Sequence, residues 1–149
     1  MIIARRVGFA VSLAACAGAM AAAQDARQSA LAGIDAKREQ YAQVARQIWD
    51  LAEVGYQETK SSALLQEQLR AAGFTVEAGV AGMPTAFVAS YGSGKPVIGI
   101  LAEFDALPGI TQDATPDRKP IAQKEAGHAC GHHLFGTGST AAAIAVREW

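Results

Sequence analysis

The chain has 149 residues, half of them hydrophobic, with 13 basic against 14 acidic side chains and a net charge of −1. That length suits one domain or part of one and can bury a core. Neither a basic patch nor a run of like charge is present, which argues against a nucleic-acid partner.

The first segment reads as an export signal. Arg5 and Arg6 precede an uncharged apolar stretch from Val7 to Ala23, and Ala21-Ala22-Ala23 offers a small-residue cleavage site before Gln24. Residues 1–23 are therefore expected to be removed, giving a periplasmic or secreted product. The stretch is Ala-rich and carries Gly8 and Gly18, so it is marginal as a span, which takes about 20 strongly apolar residues. No stable membrane span is expected after processing. Leu13-Ala14-Ala15-Cys16 gives an alternative, since it resembles a lipobox that would anchor the chain through a lipidated Cys16. Ala17 to Ala23 stay apolar, where a lipoprotein usually turns polar, and this favours the cleaved signal.

Residues 24–36 are expected as a loose or helical lead-in. A helix follows from about Asp35 to Val54, with Tyr41, Val44, Ala45, Ile48, Leu51 and Ala52 on one face and Gly55 as its stop. A second helix spans about Lys60 to Ala72, with Thr59 as N-cap, Leu65, Leu69 and Ala72 as the apolar stripe and Gly73 at C′. Strands are predicted from Phe74 to about Val80 and from Thr85 to Tyr91, separated by a turn at Gly82-Met83-Pro84. Gly92-Ser93-Gly94-Lys95 has neither the spacing nor the following Ser/Thr of a phosphate loop, and Pro96 removes a backbone donor. It reads as a turn, and no ligand is assigned to it. Val97 to Ala102 reads as a continuous apolar, central strand. A polar loop runs from Asp105 to about Glu125, and an Ala-rich helix from Gly136 to Trp149.

Helices on a mixed sheet make an α/β class. Only about three strands are predicted, where such a sheet usually has ~5–6, and no C-cap precedes Trp149. Residues 24–149 are accordingly expected to be the front of a longer, truncated domain.

All three histidines fall between residues 128 and 133, around Cys130, in Gly127-His128-Ala129-Cys130-Gly131-His132-His133. Imidazole and thiolate are good donors for borderline-soft divalent ions. After removal of 1–23, Cys130 is the one thiol left; in an oxidising compartment it is vulnerable unless buried or metal-bound. Cys130 and His132 are the first metal-ligand candidates. His128 or His133 can supply a third, though a supporting or surface role suits each better. Glu103-Phe104-Asp105 closes the apolar strand, and alternation puts its two carboxylates on one face, where they can serve a cation or orient its ligands.

Glu58-Thr59-Lys60-Ser61-Ser62, Gly82-Met83-Pro84-Thr85-Ala86-Phe87, Ile100 through Gly109 (with Asp105-Ala106-Leu107-Pro108) and Gly127 through Gly136 together resemble the dinuclear metallo-amidohydrolase and exopeptidase family. Aminoacylases and indole-acetyl-amino-acid hydrolases are among its members. The resemblance covers about Gln40 to Trp149. It implies the N-terminal portion of a zinc-exopeptidase-like catalytic domain, with a lid domain, further ligands and a general-base glutamate later in sequence. It implies two divalent ions, zinc or manganese, with Cys130 and His132 as ligands and Asp105 as the catalytic-site aspartate that supports them. It further implies hydrolysis of small N-acyl or aminoacyl amino acids, such as aminobenzoyl-glutamate, by a homo- or hetero-oligomer, and a fragment inactive by itself. Glu103 and His133 depart from the family pattern: many relatives have another acidic or histidine ligand position at the first and aspartate at the second.

Two rival readings rest on the same residues. One is a cysteine hydrolase with Cys130 as nucleophile and His132 or His128 as base. Cys-x-His proximity suits ligation better, because catalytic Cys and His usually come from separate segments. The other is an exported, non-catalytic metal-binding module.

Overall fold

The computed structural model describes residues 24–149. The signal and the Cys16 alternative lie outside the described residues. Residues 24–36 are helical (α1). Helix α2, Arg38–Leu51, is shorter at both ends than its apolar pattern suggested, and buries Tyr41, Val44, Ala45 and Ile48. It stops before Gly55 because Ala52 turns left-handed, at φ 45°.

Helix α3, Thr59–Ala71, has Thr59 as its first residue, not as its cap. The first-turn N–H groups of a helix have no intrahelical acceptor. Here Glu53 reaches forward to supply one. Ser61 donates to its carboxylate through both N and Oγ at 2.8 Å, and Lys60 N donates at 3.2 Å. Burial works to raise the Glu53 pKa, but the bonds from Ser61, Lys60 and Thr59 outweigh it and hold the carboxyl below its ordinary value. The C-terminal reading holds in detail. Gly73 sits at φ 84°, its N–H bonding the Arg70 carbonyl at 2.9 Å while Phe74 N bonds Leu69 O at 3.0 Å. Those two bonds make a Schellman motif.

Strands β1 (Thr75–Ala78) and β2 (Phe87–Ser90) pair antiparallel, Thr75 opposite Ser90. A 3-10 turn at Val80–Gly82 joins them. Within the expected polar loop, β3 (Leu107–Pro108) pairs antiparallel with β4 (Ala126–Gly127), and Val54 makes an isolated parallel bridge to Ala106. The expected central strand from Val97 to Ala102 is not a strand among the described residues. Val97 and Leu101 are 85% and 73% exposed. An apolar run records a tendency to be buried; a strand also needs a pairing strand beside it, and among the described residues this segment has none, its Leu101 carbonyl accepting instead from Ser139 Oγ of the C-terminal helix at 2.7 Å. The mixed sheet is therefore represented by two antiparallel pairs and one parallel bridge, with helices packed against them in an α/β arrangement.

Helix α4, His132–Glu148, begins four residues earlier than its hydrophobic pattern indicated, after a left-handed Gly131 at φ 81°. Its buried face is mostly small: Gly136, Thr137, Thr140, Ala141, Ile144 and Ala145. This lets α4 lie close to the 103–104 backbone. A Cβ on Gly136 would stand 3.0 Å from both Glu103 O and Phe104 Cβ. The core joins Val44, Ile48 and Leu65, with Leu64, Phe87 and Phe104 around them. Full burial of a side chain such as Ile48 or Leu65 contributes about 1.5–3 kcal/mol. No described helix is long and apolar enough to cross a membrane.

Candidate metal centre

The site is assembled by pinning segment 103–106 between two elements. On one side, Ala106 N donates to Glu53 O at 2.8 Å, beside the Val54–Ala106 bridge. On the other, Gly136 admits the 103–104 backbone against α4. The segment's two acids thereby meet the first residue of α4. His132 Nδ1 lies 2.9 Å from Asp105 Oδ1, and His132 Nε2 lies 3.0 Å from Glu103 Oε2. Donor atoms of Glu103, Asp105 and His132 all lie within 4.8 Å of one another. His132 is mostly buried; its two carboxylate partners keep part of their surface in solvent.

The remaining candidates are placed differently. The thiol of Cys130 is free and exposed, and it stands outside the three-residue cluster. His128 is buried, with Nε2 3.0 Å from the Ile48 carbonyl. A carbonyl only accepts, so Nε2 carries the proton and donates. Nδ1 of His128 is then a buried lone pair with no protein partner, and Nδ1 of His133 is also buried and unpartnered. The two rings lie 5.1 Å apart, and His133 meets Trp49 edge-on at 4.8 Å. Burial lowers the His128 pKa despite the Ile48 bond, and burial together with His128 brings His133 down to about 4. Both imidazoles are thus neutral at neutral pH and fill the space between α2 and α4.

Glu103 is the residue whose part the sequence left open. Its signal was the alternation in Glu103-Phe104-Asp105, which put both acids on one side. The structure retains that convergence although the segment is not in a ladder.

The donor set fits a divalent ion. A neutral imidazole has one N–H, yet His132 faces a carboxylate oxygen at each nitrogen. An imidazolium would donate to both; a neutral imidazole donating Nδ1–H to Asp105 would leave the Nε2 lone pair and the Glu103 carboxylate to hold a cation. The 3.0 Å between Nε2 and Glu103 Oε2 is close to the ~3.0–3.4 Å separating two ligands bonded to one ion at ~2.1 Å. A carboxylate orienting the far nitrogen of a ligating histidine is a common metal-site arrangement.

Beside the cluster lies an open cleft of about 350 Å³, with Glu103 and Asp105 on one wall and Tyr56, Glu58, Met83 and Phe87 among its other lining residues. Thr85 fixes the second wall, its Oγ1 donating to Glu58 Oε2 at 2.8 Å and its carbonyl accepting from Ser62 Oγ at 2.6 Å.

No family profile matches the chain. Individual relatives do. The chain is 47% identical over 117 residues to a p-aminobenzoyl-glutamate hydrolase subunit of Escherichia coli (strain K12), covering 78% of this chain and 24% of that protein. It is 38% identical over 92 residues to thermostable carboxypeptidase 1 of Saccharolobus solfataricus (60% and 23% covered) and 31% identical over 128 residues to Xaa-Arg dipeptidase of Homo sapiens (76% and 26% covered). The chain spans about a quarter of the length of these curated relatives.

Proposed function

Given that the chain is a member of the amidohydrolase and exopeptidase family, we propose that it contributes part of a metal-dependent site for hydrolysing the amide bond of small N-acyl or aminoacyl amino acids. The observation that carries this is the convergence of Glu103 and Asp105 on His132, at the edge of a cleft of ligand size. A divalent ion bound there, zinc or manganese, supplies Lewis-acid polarisation of the amide carbonyl and a nucleophilic water near neutral pH.

The chain's own residues do the positioning. His132 Nε2 and a Glu103 oxygen are the donors already in place, and Asp105 fixes the imidazole through Nδ1. Cys130, two residues before His132 on an exposed loop, is close enough in sequence to join the ligand set after a local rearrangement of the loop. Two ions, further ligands and a general base complete the site in the reading taken from the family resemblance. The E. coli relative is named as one subunit of a p-aminobenzoyl-glutamate hydrolase. That name supports an N-acyl glutamate such as p-aminobenzoyl-glutamate as substrate and an assembly of subunits as the working form. With residues 1–23 directing export, the activity lies outside the cytoplasm.

The test measures hydrolysis of p-aminobenzoyl-glutamate by the purified protein together with its native partner chains, before and after chelation and then with zinc or manganese restored. Loss and recovery are expected, with His132→Ala inactive throughout. Chelator-insensitive turnover, or full activity in His132→Ala, refutes the proposal.

A further inference from the structure

Tyr56 stands out on two grounds that the amide-hydrolase reading does not use. Its backbone is left-handed, at φ 65°. A bulky side chain there is a genuine outlier, and such strain collects at sites where the chain needs a side chain in a set place. The residue is also 69% exposed while lining the cleft beside Glu103 and Asp105. The turn that holds it is closed by Gln57 N donating to Val54 O at 2.9 Å. Val54 is itself bridged to Ala106, the neighbour of Asp105. The aromatic ring and the acid that contacts His132 Nδ1 are therefore tied to one short stretch of backbone.

We propose that Tyr56 is a specificity-determining residue: its ring is a stacking platform that gives this site a preference for aromatic acyl groups. The inference rests on the amide-hydrolase reading and deepens it. The cleft chemistry decides which half of the substrate enters. Glu58, Glu103 and Asp105 line it; three carboxylates outnumber the charge of one divalent ion, so the cleft stays net negative, disfavours the carboxylate of an amino acid and takes the uncharged acyl half. Met83, Phe87 and Phe104 supply apolar walls, with the Phe87 and Phe104 rings stacked at 6.0 Å. A flat aryl group fits between such walls and an exposed tyrosine ring, where offset or edge-on contact is favourable.

The experiment compares N-benzoyl-glutamate with N-acetyl-glutamate as ligands, by calorimetric titration with metal chelated so that no turnover intervenes. Wild type is expected to bind the benzoyl compound more tightly. Tyr56→Leu should lower that preference about threefold to tenfold, and Tyr56→Phe should keep it. Tyr56→Gly separates ring from backbone, since glycine accepts this φ without strain: it should lose the preference while unfolding at a higher temperature. Equal affinities of wild type for the two ligands, or an undiminished preference in Tyr56→Leu and Tyr56→Gly, overturns the inference. If benzoyl preference is present but metal-restored protein hydrolyses neither compound, the amide-hydrolase reading fails and the aromatic site stands.

Discussion

Replacing Asp105 tests the proposed centre most directly, because the proposal has it hold the imidazole and not bind the ion. Its Oδ1 is 2.9 Å from His132 Nδ1. Asp105→Ala removes that contact and frees the ring to turn about χ2. Loss of such an orienting partner typically lowers metal affinity 10–100-fold, or about 1.4–2.7 kcal/mol at 1.36 kcal/mol per decade. Asp105→Asn retains an oxygen able to accept from Nδ1–H but loses the charge, and a hydrogen bond to an ionised acceptor is about twice as strong as a neutral one. Its deficit should be roughly the square root of the alanine deficit, about 3–10-fold. The assay is competition for zinc against a chromophoric chelator, with circular dichroism confirming that both variants keep their helices. An Asp105→Ala affinity within twofold of wild type refutes the orienting role. Equal losses in the two variants show that charge, and not ring orientation, is what Asp105 provides.

Glu53→Ala should destabilise the fold by about 1–2 kcal/mol in urea unfolding, as expected for a lost helix cap. Because the folded pKa of Glu53 lies below its ordinary value, its contribution is complete above about pH 4.3 and is lost as pH falls through the folded pKa; the wild-type loss in that window should be absent in the variant. Gly136→Ala, ordinarily favourable in a helix interior by ~1 kcal/mol, should instead destabilise by about 1–3 kcal/mol, because its Cβ meets Glu103 O, Phe104 Cβ and Leu65 Cδ1 at 3.0–3.1 Å; zinc competition should register the shift of Glu103 as weaker binding. Cys130→Ser should lose both bound metal and activity in the assembled enzyme if the thiol is a ligand, whereas full occupancy with activity gone identifies a nucleophile. N-terminal sequencing of periplasmic protein should find Gln24 first; an intact Met1 in the cytosol, or a lipidated Cys16, overturns the cleaved-signal reading.

Helices were legible because burial repeats with the turn. Tyr41, Val44, Ala45 and Ile48, then Leu65 and Leu69, are buried as their spacing indicated. Gly73 was legible because few residues other than glycine adopt its φ at low cost. What the sequence hid are partnerships across distance. Glu53 caps α3 from eight residues before Ser61, a reach that no local capping pattern encodes. The start of α4 at His132 was obscured because its first turn exposes Leu134 and Phe135, blurring the apolar stripe that marks a helix. The segment from Val97 to Leu101 has strand composition without a described neighbour to pair with. At the site, His132 was named from its residue type and its place beside Cys130, Asp105 was singled out by the family resemblance, and the two do meet. Glu103 was left open because it departs from the family pattern, and nothing local tells which ring nitrogen a carboxylate will reach.

Glu53 carries one more consequence. Its side chain seats the first turn of α3, and the carbonyl of the same residue holds Ala106, one step from the acid that orients His132. An opening that unseats the helix therefore pulls on the orienting acid through a single residue, with no slack loop to absorb the motion. In the time domain, the two regions are expected to open as one cooperative unit, so the backbone amides of Ser61 and Ala106 should exchange hydrogen at the same rate, and His132 should lose its aim on the same event.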